Sequence, residues 1–334
     1  MLFIILDARG VLNSINTSTK LGELLVGFIF RVPVSIPVAG FIAGGTGAAS
    51  APLASIEKLR FDVEVVTSLT AALSIARTTF SGVNSATRGY FAGGNYTSNL
   101  NTTEIDGVRF DTDAAINPAA VMALARNGHA GVNSSTRGYF AGGGIAASPY
   151  TTAEIDGIQF DTEAAINPTA VLVLSRQDIT GVSSATRGYF AGGRYGVTNS
   201  GEIDGIRFDT DAAINPSSTL IAARAQMGGV NSSTRGYFGG GFTSASTTYI
   251  DAFRFDTETA VSQTARLADD RWLLTGVNSS TRGYFCGGGS DTAPIFGRVS
   301  EIDGIQFDTE AAINPTATLS VARYGSAGVQ SGSL

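Results

Sequence analysis

The tetrapeptide Arg-Gly-Tyr-Phe recurs at Arg88, Arg137, Arg187, Arg235 and Arg282, with successive starts 49, 50, 48 and 47 residues apart. A fixed period near fifty residues means one supersecondary unit copied along an array, so the repeat constrains the fold before length does. Aligning the chain on itself adds a sixth unit. Gly40-Phe41-Ile42-Ala43-Gly44-Gly45 matches Gly89-Tyr90-Phe91-Ala92-Gly93-Gly94 and lies 49 residues before it. Within a unit, Glu104-Ile105-Asp106-Gly107-Val108-Arg109-Phe110 alternates apolar and polar residues, the period of a half-buried strand. Asp111-Thr112-Asp113 reads as a polar turn. Ala119 to Leu124 supplies a further apolar strand entered by Asn117-Pro118. A short strand ending Ala130-Gly131-Val132 then precedes the turn Asn133 to Thr136 and the next Gly-Tyr-Phe strand. Each unit is expected to be four short antiparallel strands.

The two ends of the array are out of phase in a complementary way. Ala327-Gly328-Val329 has no Gly-Tyr-Phe strand after it, whereas Gly40 to Gly45 has no clear Ala-Gly-Val strand before it. One end can supply what the other lacks, and such a closure removes two exposed sheet edges that would otherwise template aggregation. The expectation is an all-β, six-bladed β-propeller over residues 34–334, closed by N- and C-terminal strands and preceded by a short apolar extension, residues 1–33. An open solenoid is the alternative topology. A helical repeat is disfavoured because Gly-Gly and Asn-Pro recur inside the would-be helices.

Composition narrows the function. The chain has 334 residues, a formal charge of −6 and only two lysines, Lys20 and Lys58, so it offers no basic surface for phosphates and nucleic acid is not expected as a partner. The single cysteine, Cys286, fills a slot held by Ala92, Ala141, Ala191 and Gly239 in other copies, which marks it as a small buried hydrophobe. The apolar extension is interrupted by Asp7, Arg9 and Arg31 and lacks a basic leading region. Neither a signal peptide nor membrane insertion is expected.

The units resemble kelch repeats. The second and third copies read Arg126, His129-Ala130-Gly131-Val132, Gly138-Tyr139-Phe140-Ala141-Gly142-Gly143 and Phe160-Asp161-Thr162-Glu163, and the match spans residues 40 to 329. It departs at the kelch Trp: the only Trp, Trp272, sits just after a repeated Arg. The resemblance implies a kelch-like propeller. Tandem units of the form Asn-Ser-Ser-Thr-Arg-Gly-Tyr-Phe-Ala-Gly-Gly also look like repeats in fibre and other virion proteins of tailed bacteriophages, which implies a virion structural or receptor-binding role.

Chemistry has few places to sit. Arg77, Arg126, Arg176, Arg224, Arg271 and Arg323 recur once per copy. They are read as an arginine ring, either binding an anion or, as the repetition favours, pairing with a repeated carboxylate or carbonyl to hold blades in register. The arginines of Arg-Gly-Tyr-Phe and the turn aspartates Asp62, Asp111, Asp161, Asp209, Asp256 and Asp308 are read as architectural too. Glu-Ile-Asp, as at Glu104 to Asp106 and Glu154 to Asp156, is expected on a solvated strand face. One histidine, His129, and one cysteine supply no metal set, and no catalytic residue or cofactor is expected.

Repetition fails in one place. The connections after Gly-Gly, residues 46–54, 95–103, 144–153, 194–201, 242–248 and 289–300, have lengths 9, 9, 10, 8, 7 and 12. Tyr96, Tyr150, Tyr195, Phe242 and Phe296 sit in them among Asn, Ser and Thr, a mixture suited to sugar rings and hydroxyls, with drift in tolerant loops as the bland alternative. The reading is a non-enzymatic virion protein of the fibre or receptor-binding type, presenting these loops to a host glycan or protein and docking other virion proteins through residues 1–33. Homo-oligomerisation is left open. The alternatives are a cytoplasmic, cellular kelch-like interaction module and, below it, a sugar-active enzyme.

Overall fold

A computed structural model describes residues 4–6, 12–15, 38–97, 100–292 and 295–332. The chain divides into Met1–Ile36 and Pro37–Leu334. In the first unit, Ile4–Leu6 pairs antiparallel with Leu12–Ile15. Apart from that hairpin, the expected docking extension lies outside the described residues.

The second unit is a six-bladed β-propeller, consistent with kelch-like architecture. Every blade is a four-stranded antiparallel sheet. The inner strands are Ser81–Asn84, Ala130–Asn133, Thr180–Ser183, Gly228–Asn231, Thr275–Asn278 and Ala327–Gln330, and each packs beside the next around a closed circle. The second strands are Ala39–Ala43 in blade 1 and the five Arg-Gly-Tyr-Phe segments, from Arg88–Ala92 in blade 2 to Arg282–Cys286 in blade 6. Closure follows the phase argument: Ala327–Gln330 pairs antiparallel with Ala39–Ala43, so blade 1 takes its inner strand from the far end of the array. Each second strand ends in two glycines with φ of 59–66° and then 94–111°, a turn that an L side chain resists.

The outer strand differs from expectation. In blades 2, 3, 4 and 6 it is only Ala115–Ile116, Ala164–Ile166, Ala213–Ile214 and Ala312–Ile313. The predicted strand Ala119 to Leu124 is instead irregular, touching the sheet through the single bridge of Glu104 with Val121. Proline is the cause: Pro118, Pro168, Pro216 and Pro315 cannot donate to a ladder and end the strand. Blades 1 and 5 lack that proline, and there the outer strands run on as Val65–Ala72 and Thr259–Arg271.

Adjacent blades are joined by a ring stack and a charge pair at every interface. The tyrosine of one blade stacks on the Phe of the next blade's Phe-Asp pair: Tyr90 on Phe160 at 5.4 Å, Tyr139 on Phe208 at 5.6 Å, Tyr189 on Phe255 at 5.6 Å, Tyr237 on Phe307 at 5.4 Å and Tyr284 on Phe61 at 5.3 Å. Blade 1 has Phe41 in place of tyrosine, stacked on Phe110 at 5.0 Å. The arginine of Arg-Gly-Tyr-Phe reaches across the same interface: Arg88 to Glu163 at 2.6 Å, Arg137 to Asp211 at 2.9 Å, Arg187 to Glu258 at 2.6 Å, Arg235 to Glu310, and Arg282 to Glu64 at 2.8 Å.

Blade 1 has no such arginine and solves the problem differently. Lys58, on the strand opposite Phe41, lies over that ring and pairs with Asp113 of blade 2 at 2.8 Å. Other copies have Gly107, Gly157, Gly205, Ala252 or Gly304 facing their tyrosine. Lys58→Met, which keeps the stem on Phe41 but removes the charge, is expected to cost about 1 kcal/mol, because Asp113 is partly solvated. Urea unfolding at low and at 0.5 M salt checks this; a loss that does not shrink with salt contradicts the ion-pair explanation.

Candidate functional site

Two readings of the repeated charges now separate. The six arginines of the ring are fully buried, each pairing with a carboxylate of the blade it leads into. Arg77 meets Asp106 at 2.7 Å, Arg126 meets Asp156 at 3.0 Å, Arg176 meets Asp204 at 2.5 Å and Arg224 meets Asp251 at 2.7 Å; Arg271 with Asp303 and Arg323 with Glu57 complete the set. The backbone carbonyl of each arginine accepts from the second glycine of the preceding blade, as Gly143 N donates to Arg176 O at 2.9 Å. Each arginine thus contacts two blades, its side chain one and its backbone carbonyl the other. The Glu-Ile-Asp expectation needs correction: Asp106, Asp156, Asp204 and Asp303 are 2–4% exposed and face the arginines, not solvent. Burial raises the Asp156 carboxyl above its ordinary range against the opposing pull of Arg126.

Removing one of these arginines leaves a buried carboxylate alone. Arg176→Met is expected to lose about 3–5 kcal/mol, whereas Arg176→Met combined with Asp204→Leu recovers most of that loss. Chemical denaturation of the two variants checks it, and a double variant no more stable than the single one contradicts it.

The variable connections lie beside the linkers that enter the inner strands. The first residue of each loop bridges the residue after a ring arginine: Thr46 with Tyr324, Asn95 with Thr78, Gly144 with Asn127, Arg194 with Gln177, Phe242 with Ala225 and Gly289 with Trp272. Two loops fold into hairpins that the sequence did not reveal, Arg194–Tyr195 with Thr198–Asn199 and Gly289–Thr292 with Ile295–Arg298. Tyr150 is 65% exposed and Tyr195 52%, while Tyr96 and Phe242 are half-buried. Phe296 lies in strand Ile295–Arg298, and its side chain is outside the described residues. Among the described residues, no ring contact joins any two of Tyr96, Tyr150, Tyr195 and Phe242.

What the loops do surround is a channel mouth. The residues two places after the ring arginines, Thr79, Gly128, Asp178, Gln226, Leu273 and Gly325, all have φ of 51–66°. Their peptides form a closed circle: each N–H donates to the carbonyl of the residue one blade back, at 2.6–2.9 Å. Behind this circle the inner strands enclose a cavity of about 120 Å³ lined by Gly82, Gly131, Gly181, Gly229, Gly276 and Gly328, space for a few waters. At the mouth itself the repeat breaks. Asp178 is 7% exposed and pairs with Arg194 at 2.7 Å, and Gln226 donates to it at 3.2 Å. Across the mouth, Trp272 and Tyr324 pack at 5.1 Å between centroids, Arg298 lies over the Tyr324 ring, and Trp272 Nε1 donates to Asp291 at 3.2 Å.

In the sequence Trp272 stands out only as a departure from the kelch pattern, and Tyr324, Asp178 and Arg194 do not stand out as site residues. The signal was present in the column after the ring arginines, which reads Thr78, Asn127, Gln177, Ala225, Trp272 and Tyr324 and does not repeat.

Larger hollows, of about 650 and 500 Å³, lie at the opposite ends of the blades, lined by Ser184, Thr186, Arg187, Ser233 and Arg254 or by their counterparts in blades 2 and 3. Ser184 and Ser85 are engaged in the turns themselves, as Ser184 Oγ accepts from Arg187 N at 3.1 Å and Ser85 Oγ from Arg88 N at 3.1 Å. Cys286 is fully buried, and burial pushes its thiol up to about 12, so it is not nucleophilic at neutral pH. His129 is buried edge-on to Phe140, and desolvation holds its pKa well below the ordinary value. Among the described residues no group of three or more His, Cys, Asp or Glu could hold a metal. No protein-family model matches the chain, and no curated protein matches it.

Proposed function

We propose that the protein is a non-enzymatic structural and recognition element of a bacteriophage virion, of the fibre or receptor-binding type, which presents one face of the propeller to a host glycan or a neighbouring protein. The observation that carries this reading is the division of labour between repeated and unrepeated residues. All six ring arginines are consumed in buried pairs with the blades they lead into and all five arginines of Arg-Gly-Tyr-Phe in pairs between blades, whereas the unrepeated residues are gathered in the loops and linkers around one channel mouth. A rigid scaffold carrying divergent loops is the usual division between stability and recognition. The apolar extension, residues 1–33, is assigned to docking on other virion proteins.

Mass spectrometry of purified particles, with antibody labelling in the electron microscope, tests the placement. A fixed copy number at one location is expected, and particles that lack the chain contradict it. A deletion of residues 1–33 is expected to leave a folded propeller that no longer enters particles.

A further inference from the structure

Apart from Thr78 on blade 2, whose hydroxyl is bonded to Thr46 and Gly325, and Ala225 on blade 5, the linker side chains around the mouth fall into two unlike arcs. On blades 3 and 4 they are amides: Gln177 makes no side-chain hydrogen bond among the described residues, and Asn127 uses its Nδ2 on Asn101 at 3.0 Å, leaving its carbonyl oxygen open. On blades 6 and 1 they are Trp272 and Tyr324, half-buried and in ring contact. Ala225, the small residue on blade 5, separates the arcs. The backbone circle fixes the spacing of these positions, since Leu273 N donates to Gln226 O at 2.8 Å and Gly325 N to Leu273 O at 2.8 Å. The aromatic side is itself braced. Asp291 holds the indole N–H, and Arg298 covers the tyrosine while donating to Ser50 of the next loop at 2.8 Å.

A braced indole on one arc of the mouth, with the unfilled Gln177 amide and the open Asn127 carbonyl oxygen on the other, matches a molecule with one apolar ring face and a rim of hydroxyls. We propose that the channel mouth is a saccharide site, in which Trp272 stacks on a sugar ring with Tyr324 bracing the indole, while the Gln177 amide and the Asn127 carbonyl oxygen bond its hydroxyls. The cavity behind the mouth is too small to admit a sugar, so the ligand rests on the mouth. The binding energy therefore comes from the mouth linkers and not from the exposed loop tyrosines. This inference rests on the recognition reading and locates its site.

Trp272 is the only tryptophan, so its emission reports on this site alone. The test is a printed array of neutral and acidic oligosaccharides, each hit being titrated against Trp272 fluorescence with the full chain. A saturable change in emission is expected. Trp272→Ala and Tyr324→Ala, assayed by calorimetry, are expected to weaken binding at least tenfold with unchanged melting temperature. Gln177→Ala should weaken it several-fold, and Trp272→Phe should retain most of it and so control for folding. Sugars that bind without altering Trp272 emission, and are lost in Tyr150→Ala or Tyr195→Ala, overturn the inference while leaving loop-face recognition standing. Failure of every array member to bind overturns the saccharide site. The recognition reading fails separately, when host-cell attachment survives disruption of the whole loop face.

Discussion

Raising the pH from 10 to 12 is expected to unfold the propeller in one cooperative step. Tyr90, Tyr139, Tyr189, Tyr237 and Tyr284 are buried, and burial first, then the carboxylate each phenol contacts, pushes their pKa up to about 12 from the ordinary 10.0, against the opposing pull of the adjacent arginine. In the unfolded chain these phenols ionise near 10, so the folded state binds protons that the unfolded state has released. The sign follows directly. Their contribution to stability is complete below pH 10, falls as pH rises through the window from 10 to 12, and is gone above it. Each tyrosine accounts for about 2–3 kcal/mol of that fall. Five acting together approach the whole stability of an ordinary domain.

The part of the phenolate absorbance that belongs to these five and the circular dichroism, followed together, should change in the same narrow window. Tyr139→Phe removes one liability and copies the Phe41 arrangement of blade 1, so its alkaline midpoint should rise even where its stability at pH 7 falls through the lost bond to Asp211. Ionisation of the five buried phenols, counted apart from exposed tyrosines such as Tyr150 and Tyr195, well before the dichroism changes contradicts the coupling.

The second large effect sits on the axis. A Cβ added to Gly276 falls 1.9 Å from Gly229 O and 2.7 Å from its carbonyl carbon. Gly82, Gly131, Gly181, Gly229 and Gly328 each face the preceding blade's glycine oxygen at 2.2–2.5 Å in the same way. The obstacle is backbone, so no rotamer change relieves it. The six inner strands approach this closely because the ring is closed, and one methyl must push two blades apart. Gly276→Ala is expected to cost more than about 4 kcal/mol and to give little folded protein at 37 °C. Gly201→Ala, where the nearest atom is 3.6 Å away, should stay within about 0.5 kcal/mol. Comparable melting temperatures for the two variants contradict a closed, tight ring.

Much of this fold is legible in the chain. The hidden copy at Gly40 and the phase offset of the two ends predict six blades and closure of the first by the strand at Ala327-Gly328-Val329, which pairs in register Val329 with Phe41. The assignment of faces is what fails. Alternation along Ile105-Asp106-Gly107-Val108 suggests one wet face, but a blade is covered on both sides by its neighbours, so Asp106 is sealed against Arg77. Glu163, Asp211, Glu258, Glu310, Glu64 and Asp113 escape notice because one position alternates between two acidic residues, though all six take φ of 50–55° and close an interface. The mouth is obscured for the opposite cause. Trp272 and Tyr324 belong to no repeat, and only the closed geometry places them side by side.

The central claim is that repeated residues build the scaffold and the unrepeated mouth recognises the partner. Its most direct measurement is equilibrium attachment to host cells by two matched variants. One carries Gln177→Ala, Trp272→Ala and Tyr324→Ala on the loop face; the other carries Ser135→Lys and Ser233→Lys on exposed turns of the opposite face. Loss of attachment by at least tenfold in the first and wild-type attachment in the second, at equal melting temperatures, is the predicted result. Attachment that survives the first variant and is lost in the second contradicts the account.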